Sequence, residues 1–111
     1  MIHLLHQKAT RQQINEMLQE LSTFIKLAVD IEHGILAGGG AMHADCEMTL
    51  LNDGSRQNDI WGADWVPSTQ SVEFDAIINI RPNQQNYSMT IQDASIRQKV
   101  EAISRKLLEG I

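Results

Sequence analysis

Ala41-Met42-His43-Ala44-Asp45-Cys46-Glu47-Met48-Thr49-Leu50-Leu51 is the stretch on which the fold assignment turns. His43, Asp45, Glu47 and Thr49 fall on one register, and Ala44, Cys46, Met48 and Leu50 on the other. Successive side chains of a strand leave on opposite faces, so this alternation predicts a strand with one buried and one polar face. The polar row carries an imidazole and two carboxylates, groups from which metal sites and acid–base sites are made.

Outward from it, the same period of two recurs. Ile25, Leu27, Val29 and Ile31 alternate with Lys26, Ala28, Asp30 and Glu32, and Val72, Phe74, Ala76, Ile78 and Ile80 alternate with Glu73, Asp75, Ile77, Asn79 and Arg81. Both read as half-buried strands. Ile35-Leu36-Ala37 follows a turn at Glu32-His33-Gly34, Gly38-Gly39-Gly40 reads as a bulge or bend, and Ile60 to Val66 is a further strand. Thr10 with Gln13 makes a capping-box signature. Ile14, Met17, Leu18 and Leu21 then carry a helix to about Ser22-Thr23. Asp93 caps a last helix striped by Ile96, Val100, Ile103 and Leu107, with Arg105 and Lys106 in its final turn and Gly110 beyond it.

Short turns between one-sided strands favour antiparallel pairing. The expectation is an α+β domain spanning residues 1–111. It would be a two-layer sandwich, an antiparallel meander sheet of four to five strands with both helices packed on one face. The outer face would then gather Lys26, Asp30, Glu32, His43, Asp45, Glu47, Glu73, Asp75, Asn79 and Arg81. Like charges opposed across strands repel, so this face would favour a partner cation.

Composition narrows the function classes. A net charge of −5 without a Lys/Arg run argues against nucleic acid, whose binding rests on phosphate neutralisation. No apolar run is long enough for a membrane span, and the N-terminus lacks the pattern of a secretory signal. The lone Cys46 fits a reducing compartment, so a cytoplasmic location is expected. The Gly38–Gly40 run lacks the Lys-Ser/Thr and helix of a phosphate loop. No cofactor is implied.

Metal binding is the sharpest chemical reading of the polar row. Residues four apart on a strand are about 13 Å apart, so His43, Asp45 and Glu47 cannot all reach one ion. At most two of them could, joined by a carboxylate such as Asp75 or Glu73 from a neighbouring strand, and His43, Asp45 and Asp75 would then make a small metal-dependent hydrolase. Against it stands a binding or protein-interaction module using the polar face and the loops after Leu51 and Ile80. Trp61 and Trp65 share one register and are either core or an interface, which makes a homodimer or a protein partner the expected association.

Gly39-Gly40-x-x-His43-Ala44-Asp45-x-Glu47, Gly54-Ser55-x-Gln57-x-Asp59-x-Trp61-Gly62 and Ile78-Asn79-Ile80-Arg81-Pro82, followed by Asn86-x-Ser88 and Asp93-x-x-Ile96-Arg97, span nearly the whole chain. In these motifs the sequence resembles a family of small uncharacterised bacterial proteins, a domain of unknown function. The resemblance implies a bacterial source and a stand-alone protein, and brings no activity with it. It singles out His43, Asp45, Glu47, Gln57, Asp59, Trp61, Asn79, Arg81 and Asn86 as motif residues.

Overall fold

A computed structural model describes residues 1–111. In chain order it has β1 (His3–Leu5), α1 (Arg11–Met17), β2 (Ile25–Asp30), β3 (Ile35–Gly38), α2 (His43–Asn52), β4 (Ile60–Val66), β5 (Ser71–Glu73) and α3 (Ala94–Leu108). Single 3-10 turns lie at Gln57–Asp59, Ile77–Asn79 and Pro82–Gln84. The five strands form one antiparallel sheet in the order β1-β3-β2-β4-β5, which makes the molecule α+β as expected.

The capping box at α1 is present: Thr10 Oγ1 accepts the Gln13 N–H and the Gln13 side chain accepts the Thr10 N–H. The helix stops at Met17, short of the expected Ser22-Thr23, and turns carry the chain onward to β2. Asp93 caps α3 by accepting from the Ser95 and Ile96 N–H groups.

Two expectations about strands are overturned. Residues 43–52 form a helix, not a strand. Period two and period 3.6 share the i, i+4 repeat, and Cys46 and Leu50, the two buried residues of α2, satisfy both. Ala44, Glu47, Met48, Leu50 and Leu51 are good helix formers, and Asp45 in the first turn suits the helix dipole. Topology decides the matter. β3 and β4 are both antiparallel to β2, so they run parallel with β2 between them, and such a pair needs a long crossover, usually helical. Likewise, the expected strand from Val72 to Arg81 ends at Glu73, and the chain then folds across β4.

The sheet is therefore not a simple meander. β1-α1-β2 and β3-α2-β4 are two crossovers, and each encloses one strand of the other unit. Both advance the same way along the strand order but start from strands running in opposite directions. If both share the usual hand, their helices must take opposite faces. That is the observed arrangement. Ile14 and Met17 of α1 and Val100, Leu107 and Leu108 of α3 pack with Ile25, Leu27, Val29, Leu36, Trp61 and Trp65. On the other side Cys46 and Leu50 of α2 pack with Ala28, Ala37 and Ile60. The expected two layers with an open polar face give way to helices on both sides of the sheet. The "polar" register of β2 lies under α2, where the small pair Ala37 and Ala28 lets the helix approach.

Trp61 and Trp65 are fully buried, which selects core over interface, the two readings their shared register allowed. Each ring has a guanidinium against it: Arg81 at 5.0 Å from the centroid of Trp61 and Arg105 at 5.9 Å from that of Trp65. No helix is long and apolar enough to cross a membrane.

Candidate functional site

The motif residues come together where α2 meets the segment following β5, although their roles differ. His43, in the first turn of α2, is tied down: its Nε2 sits 2.8 Å from Asp64 Oδ1 and 3.1 Å from the Ala63 carbonyl, fastening the helix to β4. Cys46 points into the sheet, its Sγ donating to the Lys26 carbonyl at 3.4 Å, and burial pushes its thiol pKa up. Asp45 is exposed at the helix start, and Asp75 is engaged with the Thr90 hydroxyl on the segment beyond β5.

Asn79 and Asn86 work as internal scaffolding. β5 pairs only with residues 64–66 of β4, which leaves the edge at Gly62 open. The Asn79 side chain closes it: Oδ1 accepts the Gly62 N–H at 2.8 Å, and Nδ2 donates to the Gly62, Phe74 and Met89 carbonyls. A side-chain amide here does the work of one residue of a missing strand. Asn86 repeats the device one turn on, donating to the carbonyls of Asn79, Ser88 and Thr90 and accepting from Gln92 N–H. These two amides and the Arg81–Asn86 backbone bridge shape the loop from Phe74 to Gln92.

Arg81 links that loop to α2. Its Nε donates to the Ile78 carbonyl, one terminal nitrogen to the Gln57 carbonyl and the Gln84 side chain, and the other to Glu47 Oε2 at 3.2 Å. Both partners of the ion pair are nearly buried, with side chains 8% and 12% exposed. Burial lowers the Arg81 pKa and the charge of Glu47 opposes that shift, so the guanidinium stays charged. The pair forms one wall of an open hollow of about 360 Å³, whose other walls include Gln57, Asn58, Ile78, Ile80 and Asn83. Asp59 lies beside it in the Gln57–Asp59 turn. An apolar depression of about 150 Å³ adjoins it, walled by Met42, Ala44, Ile77 and Ile78; Ile78 is common to both.

A second polar cluster was not anticipated from sequence. Asp30, at the end of β2, is fully buried. It accepts from the Glu32 and His33 N–H groups, from Ser55 Oγ at 2.6 Å and from His33 Nδ1 at 2.9 Å. Burial alone would raise its pKa, but the hydrogen bonds from Ser55 and His33 and from the backbone outweigh it and hold the carboxyl low. His33, hydrogen-bonded to Asp30 and attracted by its charge, is raised. His33 and Ser55 share a hollow with His6 and Asp53. The i, i+3 spacing of Asp30 and His33 ahead of Gly34 was the available signal, and it reads equally well as an ordinary turn.

The structure does not assemble the expected metal site. No three His, Cys, Asp or Glu side chains are placed to hold one ion, because His43 and Asp45 leave α2 in different directions and Asp75 is held by Thr90. Of the ten residues singled out in the sequence, Glu47, Gln57 and Arg81 line the hollow beside α2. His43, Asn79 and Asn86 brace the elements around it, and Trp61 is core beneath Arg81.

A family model described as "Protein of unknown function (DUF5674)" matches residues 3–107, and the chain belongs to that family. Neither the curated proteins nor the solved structures contain a match.

Proposed function

We propose that this protein is a binding module that engages a protein partner through α2 and the segment from Asp75 to Arg81. One observation carries the reading. Ile80 beside the Glu47–Arg81 pair and Met42 and Ile77 in the adjoining depression are exposed, Ile77 to 73%, and Met48 is exposed on α2 as well. A chain that buries its tryptophans and braces a loop with two asparagine amides presents these apolar side chains on a rigid support. Clustered exposed apolar residues around a desolvated polar pair are the anatomy of an interface, with methionines giving an adaptable surface.

The test is photo-crosslinking in the source cell, with a photoreactive amino acid replacing Ile80 and, as control, exposed Gln19 beyond α1. A discrete adduct at position 80, absent at 19 and lost when Met42→Asp is added, is the expected outcome. An adduct of twice the chain's mass identifies the partner as a second copy. No adduct, or the same adducts at both positions, sinks the reading.

A further inference from the structure

The Glu47–Arg81 pair has unspent hydrogen-bonding capacity, and its geometry limits what can use it. A guanidinium has five N–H donors. Nε gives one to Ile78, one terminal nitrogen gives two to Gln57 and Gln84, and the other gives one to Glu47 Oε2. One N–H on the nitrogen nearest Glu47 is left over. Glu47 Oε1 likewise has no partner within the chain, while Oε2 holds the arginine. Glu47 Oε1 is not among the buried polar atoms that lack a partner, so it reaches solvent, and Arg81 lines the same hollow as Glu47. A donor and an acceptor therefore stand side by side on a charged, nearly buried pair, with Ile78 and Ile80 alongside.

Resting on the interaction reading above, we infer that the partner segment is an extended peptide, one residue of which gives its carbonyl to Arg81 and its N–H to Glu47 Oε1. In an antiparallel pairing one residue exchanges both bonds on the same edge, and that is the pattern this donor–acceptor pair complements. A helical segment has spent those groups internally and cannot use the clamp. A nucleobase edge offers a similar pattern, but apolar surface continues past the hollow to Met42 and Ile77, further than one ring covers. Alternate side chains of an extended peptide fill that length. The net charge of −5 selects a partner with basic residues flanking the apolar ones and works against a second copy of this chain.

The experiment is an NMR titration of the full chain, following Ile and Met methyl signals and the Arg81 Nε–H. The probes are N-acetyl-leucine N′-methylamide, its analogue methylated on the leucine nitrogen, and uracil. The blocked leucine should shift Ile78, Ile80 and Arg81 in the millimolar range. Methylating its nitrogen removes the donor to Glu47 and should weaken binding about tenfold. Glu47→Gln turns an amide N–H toward the hollow and should produce the same loss, with an otherwise unchanged methyl spectrum showing that the fold is kept. Equal binding of the two leucine probes overturns the clamp and leaves the apolar interaction surface standing. Tighter binding of uracil overturns the peptide in favour of a base. No shift with any probe overturns the inference, while the crosslinking result independently decides the interaction surface.

Discussion

Asp30 shows how much one side chain in this protein carries. Its carboxylate closes the β2–β3 turn, anchors Ser55 beyond α2 and orients the His33 ring. The pH dependence of stability follows from the two shifts. His33 is raised above its ordinary 6.5, so its contribution is complete below pH 6.5 and fades as pH climbs through the raised value. Asp30 is held below its ordinary 3.8, so its contribution is complete above pH 3.8 and fades as pH falls through the lowered value. The pair therefore helps most between these limits. Thermal melts of wild type and His33→Ala should differ more at about pH 5.5 than at about pH 8.5, and a difference independent of pH would contradict the linkage. Much at this scale was legible in the sequence: the Thr10 and Asp93 caps lie where side-chain chemistry requires, because caps depend on neighbouring residues alone. Asp30 was not legible, since its main partner, Ser55, lies 25 residues away.

Among the elements, α2 and the segment after β5 were misread for a common reason. Each alternates polar and apolar residues, but each has its pattern set by something beyond the segment. α2 is a crossover between parallel strands, and Ala76 and Ile78 lie over Gly62 with Asn79 standing in for a strand. A Cβ at Gly62 would come within 2.5 Å of the Ala76 Cβ, so glycine there is what allows the segment to cross. Asn79→Ala should therefore be costly. It strands the Gly62 N–H and C=O in a buried place, while the Phe74 and Met89 carbonyls keep the Ile91 and Ala76 N–H groups, and chemical denaturation should show a loss of about 2–3 kcal/mol. A loss below about 0.5 kcal/mol, the range of ordinary surface substitutions, would mean that the amide is not bracing β4. By contrast β2, β3 and β4 were readable, because buried strands flanked by turns announce themselves through local composition.

At the scale of the whole molecule, the sheet order β1-β3-β2-β4-β5 interleaves the two crossover units. Neither the order nor the placing of helices on both faces could be read from the sequence, because each depends on which strands pair across some thirty residues. A cut between His33 and Gly34 separates β1 and β2 from the strands that pair with them. The fragments 1–33 and 34–111 should each lack stable sheet structure alone and regain it on mixing, seen by circular dichroism. A cooperative melt from 1–33 alone would contradict the topology. The interleaving also bears on synthesis. While the ribosome is still extending the chain short of residue 35, β1 and β2 have emerged with an unfilled gap between them. Productive pairing has to wait for later residues, so the early nascent chain depends on being kept from premature association.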